Sequence, residues 1–115
     1  CAVMQTGAAK CWGADPHGQL GIGPWQYPYP TTPVDVVGLQ SGVASISVGG
    51  YHTCVVLEDG GAKCWGYNGS GRLGDGTTTE QWTPVDVVGL SGAVRNIDTG
   101  GSYSCAVMDA GGVQC

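Results

Sequence analysis

The chain has 115 residues, 22 of them Gly, six Cys, four Trp and no Phe, with nine acidic against four basic residues for a net charge of −5. Glycine this abundant and charge at only 11% exclude an ordinary helical domain, while 42% hydrophobic residues exclude wholesale disorder. No run approaches the roughly 20 apolar residues of a spanning helix and no basic-then-apolar leader is visible. No basic run exists to neutralise phosphates, so neither membrane insertion nor a nucleic-acid partner is expected.

In chain order, the first expected element is a hairpin over 1–11, followed by strands at 34–37, 43–48, 52–57 and 62–65. The set then recurs at 85–88, 94–98, 103–108 and 113–115. No stretch has helical periodicity. The Val55-Val56-Leu57 run is apolar without alternation, as expected of a strand covered on both faces. Gly49-Gly50 and Gly100-Gly101 supply tight backbone between consecutive strands.

The recurrence is an internal repeat. Cys1, Cys54 and Cys105 lie 53 and 51 positions apart, and Cys11, Cys64 and Cys115 repeat those separations. Ala9-Lys10-Cys11-Trp12-Gly13 overlays Ala62-Lys63-Cys64-Trp65-Gly66, and Gly18-Gln19-Leu20-Gly21 overlays Gly71-Arg72-Leu73-Gly74. The eight residues from Thr32 to Leu39 match those from Thr83 to Leu90 without a substitution. The chain divides into a hairpin at 1–11, one unit at 12–64 and the next at 65–115. The first unit carries two extra residues between Gly23 and Pro33, a change that surface loops absorb at little cost. A unit of roughly 50 residues with four short antiparallel strands is the pattern of a propeller blade. The fold class is therefore all-β, as a fragment of a larger β-propeller.

Each unit has one Cys-x9-Cys pair. Its even separation puts both cysteines on one face of a hairpin folded at its midpoint, where Glu58-Asp59-Gly60 is a turn sequence. The preferred reading is three bridges, Cys1 with Cys11, Cys54 with Cys64 and Cys105 with Cys115. Buried free thiols and metal ligation are the alternatives, the latter lacking clustered cysteines or a nearby His pair. Bridges in every unit imply an oxidising compartment, so the expected location is extracellular, cell-surface or periplasmic.

The run Gly49-Gly50-Tyr51-His52-Thr53, the Asp59-Gly60 turn, Cys64-Trp65-Gly66 and Asn68-Gly69-Ser70-Gly71-Arg72-Leu73-Gly74 together resemble the regulator of chromosome condensation type of repeat. The resemblance implies a seven-bladed propeller with about 50 residues per blade and a habit of binding other proteins through rim loops. The cysteine pairs resemble those of secreted bacterial members. A seven-bladed ring of that period needs roughly 350 residues, so these blades are expected to sit within a longer array or to join with copies of themselves.

Among candidate residues, His52 belongs to the repeat consensus, and a buried structural imidazole bonded to backbone is expected. His17 stands where the next unit has Ser70 and reads as a replaceable loop residue. No nucleophile elbow, metal-binding His pair or phosphate-cradling loop is visible, so no catalysis, metal or cofactor is expected. Asp75 with Thr77 to Thr79 reads as a turn rather than a calcium loop, because the first unit has Ile22 in place of the carboxylate. Asn68 in its Asn-Gly-Ser sequon and Thr77, Thr78 and Thr79 are candidate glycosylation sites. Trp12 and Trp65 recur and read as packing residues. Trp25, Tyr27 and Tyr29 lie in the length-variable, proline-stiffened segment and are the candidate binding residues, with Trp82 in the shorter second loop as a companion. The function expected is a rigid protein-binding or assembly scaffold whose partner is another protein or identical copies. The alternatives are a subunit of an extracellular fibre or surface layer, a lectin-like module taking a glycan, and an enzyme using the central opening.

Overall fold

A computed structural model describes residues 1–115 as ten strands with no helix. The strands are β1 (Ala2–Val3), β2 (Ala9–Cys11), β3 (Val34–Asp35), β4 (Val43–Val48), β5 (His52–Leu57), β6 (Ala62–Gly66), β7 (Gln81–Asp86), β8 (Val94–Thr99), β9 (Ser104–Met108) and β10 (Val113–Gln114). They form three antiparallel sheets, β1-β2-β3, β4-β5-β6-β7 and β8-β9-β10, each in sequential order. The complete four-stranded sheet thus takes its strands from 43–86. A sequence unit cut at 12–64 draws on two sheets, since a repeat has no privileged starting point.

Alternation along β5 explains why the middle sheet is buried on both faces. Cys54 and Val56 face the third sheet, where they join Ala62, Cys64, Leu73, Val94, Ile97, Ala106 and Met108 in one core. Val55 points the other way and joins Trp65, Ala9, Cys11, Leu20, Val36, Leu39 and Val43 in a second core against the first sheet. This double burial is why Val55-Val56-Leu57 carries no polar alternation. Backbone bonds stitch the sheets at the hairpin ends, with Val43 N–H donating to Gly7 O at 3.0 Å and Val94 N–H donating to Gly60 O at 2.8 Å.

All six cysteines are bridged in the expected pairs, with Cα–Cα distances of 4.0, 4.1 and 4.0 Å. Cys54 lies directly opposite Cys64 in the β5–β6 register. The hairpin folds where expected: Gly60 N–H donates to Leu57 O at 2.9 Å, and Leu57 N–H donates to Gly61 O at 2.8 Å. Closing so short a loop removes unfolded-state entropy worth about 2.5 to 3 kcal/mol per bridge.

Two edges differ from expectation. β7 begins at Gln81, not at 85, and contains Pro84. As the outermost strand it pairs only with β6, so the missing proline N–H costs no ladder bond. In the first sheet Pro30 replaces Gln81. Gly13 N–H still donates to Pro30 O at 2.9 Å, but proline has no N–H to return the bond, and β3 is reduced to Val34–Asp35.

Candidate functional site

The length-variable loop leaves the first sheet at Gly23 and returns at Pro30. Both ends are held by backbone bonds, from Gly23 N–H to Trp82 O at 3.1 Å and from Gly13 N–H to Pro30 O at 2.9 Å. Between these anchors Trp25 is 61% and Tyr27 72% exposed. Trp25 and Tyr27 lie parallel, with centroids 6.0 Å apart and planes 13° apart. Tyr29 meets Tyr27 edge to face at 5.7 Å. Trp25 and Tyr27 thus stand out from the blade, while Tyr29, half-buried, backs Tyr27. The stacking restricts rotamers before any partner arrives, which lowers the ordering cost of a contact.

Trp82 does not join this array as an exposed ring. It is half-buried in β7, and its indole lies against Gly18, where an added Cβ would sit 2.7 Å from the ring. The correction has a simple cause, since Trp82 belongs to a strand rather than to a loop and faces the preceding blade.

A second cluster, which the sequence did not reveal, forms where the first and second blades meet. His17 Nδ1 and Glu80 Oε1 are 2.7 Å apart. The His17 ring contacts Tyr51 at 5.0 Å and Tyr67 at 4.9 Å. Arg72 lies 4.8 Å over the Tyr67 ring and donates to Gly101 O at 2.6 Å, so one chain of contacts links all three blades. His17 is therefore an interblade residue, not a replaceable loop position. Its partner lies 63 residues away, beyond the reach of local pattern.

His52 is fully buried, and its partner is a side chain instead of backbone: Nε2 lies 2.9 Å from Ser104 Oγ in the third sheet. Ser104 Oγ in turn donates to Arg72 O at 2.8 Å. Burial and the neighbouring Arg72 charge hold the imidazole down, against an opposing pull from the Tyr103 backbone, at a pKa of about 4. It is a neutral packing group at physiological pH. Trp65 is fully buried and donates its indole N–H to Gln19 O at 2.8 Å. Its counterpart Trp12 is 42% exposed.

Asn68 is buried, and its amide donates to Asp75 Oδ1, Thr77 O, Thr77 Oγ1 and Thr79 O at 3.0 to 3.3 Å. The expectation of a glycan at Asn68 is corrected on this ground, since the nitrogen that would carry the sugar closes the 75–79 turn. Thr77, Thr78 and Thr79 are exposed, and the Thr77 hydroxyl bonds to Asp75. Burial pushes the Asp75 carboxyl up, but bonds from the Thr77 amide and hydroxyl and from Asn68 and Gln81 outweigh it and leave it below the ordinary value. In the first unit the position of Asn68 is held by Asp15, buried, accepting from Leu20 N–H at 2.9 Å with Oδ2 unpartnered. Burial raises the Asp15 pKa, the Leu20 bond opposes it, and the Glu80 charge adds to the rise. No three His, Cys, Asp or Glu side chains come together as a metal site.

Comparison with known proteins gives this geometry a family. The Regulator of chromosome condensation (RCC1) repeat model matches residues 8–56 and 59–107, and a second model of the same repeat matches 43–72. The RCC1 domain-containing protein RUG3, mitochondrial, of Arabidopsis thaliana is 31% identical over 115 residues, covering 96% of this chain and 25% of its own. Among solved structures, human WBSCR16 superposes with a TM-score of 0.81 at 24% identity, and yeast RCC1 (Prp20) bound to Kap60 with 0.79 at 19% identity. Each alignment covers 96% of this chain and 28% of the solved chain. At that identity the two structures establish a shared fold. The chain spans about a quarter of the length of these relatives.

Proposed function

The chain belongs to the regulator of chromosome condensation (RCC1) repeat family, and from that premise we propose that it is part of an exported, non-catalytic β-propeller that binds another protein through its rim. The observation that carries this reading is the Trp25–Tyr27–Tyr29 array, in which the exposed Trp25 and Tyr27 rings stack and the half-buried Tyr29 supports Tyr27 edge to face, on a loop anchored at both ends. Large rings held in place are the side chains that dominate protein interfaces. The cores between the blades leave the scaffold rigid, so contact energy is not spent on ordering it. The yeast structure bound to Kap60 supports protein binding as a use of this fold. The net charge of −5 favours a protein partner over a phosphate backbone. Three disulfides among only 115 residues support an oxidising location.

The test compares the native chain with the double variant Trp25→Ala, Tyr27→Ala, each immobilised and exposed to extracellular extract of the source organism. Retained proteins are identified by mass spectrometry, and folding is checked by circular dichroism. The expected result is a specific protein held by the native chain and lost from an equally folded variant. Identical retention by both would sink the rim assignment. Alkylation of the native protein without reductant tests export separately, and six reactive thiols there would remove that part of the reading.

A further inference from the structure

Asp15 and Asn68 hold equivalent positions, and the frame around them is the same in both units. Leu20 N–H donates to Asp15 Oδ1 at 2.9 Å and Leu73 N–H to Asn68 Oδ1 at 3.1 Å. Gly21 N–H closes onto Gly18 O at 3.0 Å and Gly74 N–H onto Gly71 O at 3.1 Å. Val37 and Val88 N–H then donate to Gly21 O and Gly74 O at 3.0 and 2.8 Å. Both side chains are buried, at 1% and 0% exposure. With one oxygen of each fixed alike, Asp15 Oδ2 takes the place of Asn68 Nδ2.

What those two atoms offer is opposite. Asn68 Nδ2 donates to Thr77 O and Thr79 O at 3.1 and 3.0 Å and so holds the 75–79 turn. Asp15 Oδ2 has no partner, and no backbone N–H donates to any carbonyl from Pro24 to Tyr29 in the loop that replaces that turn. An ionised carboxylate and a row of carbonyls are all acceptors, and only a hydrogen between them makes a bond. No cation neutralises Asp15. Of the four basic residues, Lys10, Lys63 and Arg95 pair with Asp35, Asp86 and Asp109, and Arg72 lies over Tyr67. The second blade brings Glu80, of like charge, whose Oε1 is 2.7 Å from His17 Nδ1. Tyr51 and Tyr67 flank that imidazole. From Gly18 to Val34 the chain carries no charged side chain, and its titratable groups are the Tyr27 and Tyr29 hydroxyls.

We propose that Asp15 is a proton-operated latch for the rim loop: protonated from solvent, Oδ2 donates its O–H to a loop carbonyl as the Asn68 amide does, and ionisation releases the segment that carries Trp25 and Tyr27. Burial, opposed by the Leu20 bond and reinforced by the Glu80 charge, raises the pKa of this carboxyl, which extends the latched state into milder acid. The consequence for binding rests on the rim assignment above: the aromatic surface is ordered in acid and loosened as pH rises, so a partner meets a preorganised surface only on the acid side.

Nuclear magnetic resonance of the 13C,15N-labelled native chain between pH 3.5 and 7.5 tests the latch. The Asp15 carboxyl 13C shift gives its titration midpoint, and 15N relaxation at Trp25, Gln26, Tyr27 and Tyr29 gives the order of the loop. Amide order parameters of about 0.85 in acid are expected to fall below about 0.6, with the midpoint of the Asp15 carboxyl. Asp15→Asn, which carries a donor at every pH and leaves Glu80 and His17 in place, is expected to keep the acid values throughout. Order parameters that stay constant in the native chain, a change whose midpoint departs from that of Asp15, or the same change in Asp15→Asn overturns the proposal. The first two outcomes need no altered chain, so misfolding of the variant does not shield it. Loop order is read without a partner: flat order parameters remove the latch and leave the rim contact standing, whereas equal retention of partners by the Trp25→Ala, Tyr27→Ala variant removes the rim contact and leaves the latch.

Discussion

His52 offers the sharpest quantitative test of the packing between the second and third sheets. In the unfolded chain its imidazole titrates at about 6.5. In the folded chain, burial and the Arg72 charge lower this to about 4. A group whose pKa falls on folding binds fewer protons in the native state between the two values, so stability rises with pH across that window and is flat outside it. A depression of roughly 2.5 units at 1.36 kcal/mol each predicts that the native chain loses about 3 kcal/mol on going from pH 7.5 to pH 4 through this residue alone.

The assay is urea unfolding at pH 4, 5, 6, 7 and 8 for the native chain and for His52→Gln, whose amide keeps a polar group near Ser104 without titrating. Asp15 and Asp75 are present in both proteins, so their contributions cancel in the difference. The variant is expected to be less stable at pH 8, and the gap is expected to close by about 3 kcal/mol at pH 4. Two parallel curves across pH 4 to 7 would refute the claim that a neutral, desolvated imidazole bridges the sheets through Ser104.

Two further outcomes follow from the blade interfaces. Gly21 has φ +69° and faces Trp65 Nε1 at 2.7 Å and Val36 Cγ1 at 2.9 Å, whereas Gly23 has φ +97° with nothing within 4 Å. Gly21→Ala should therefore cost about 1 to 3 kcal/mol more than Gly23→Ala, since both bear the backbone strain and only the first displaces the indole. Equal melting temperatures for the two variants would show that the Trp65 groove is loose. Asp15→Asn should stabilise the chain by about 1 kcal/mol above the pH at which Asp15 ionises and change little in acid. The sign follows from a raised carboxyl pKa, which makes native stability fall as pH rises through it. Denaturation at pH 4 and 8 checks this, and a variant destabilised at pH 8 contradicts the reading of Oδ2 as an unpaired buried oxygen.

The sheets were legible in the sequence because hairpin structure is local and of period two. An even cysteine spacing around Glu58-Asp59-Gly60 allows one register in which both sulfurs share a face, and Cys54 does sit opposite Cys64. Side chains that act between blades obey no such local rule. The Asn68 sequon is readable as a string, yet the turn that needs its amide, at Thr77 and Thr79, is a feature of the folded loop. Trp82 looked like a loop aromatic because its strand was expected to start at 85, while pairing of Gln81 with Gly66 draws it into β7. His17 finds Glu80 only through the position of that same strand.

The period carries more three-dimensional information than the strand count alone, because a propeller sets equivalent positions of successive blades side by side. Ser47 bonds Asp98 and Thr99, and His52 bonds Ser104, at separations of 51 and 52 residues, within one residue of the 51 that separate Cys54 from Cys105. Residues one period apart are therefore neighbours, and a substitution between units alters one interface rather than one position. The change from Asn68 to Asp15 removes the donors that close a turn, and that turn is replaced by the longer loop bearing Trp25 and Tyr27. The rim array and the orphaned carboxylate are thus two consequences of the same departure from the repeat.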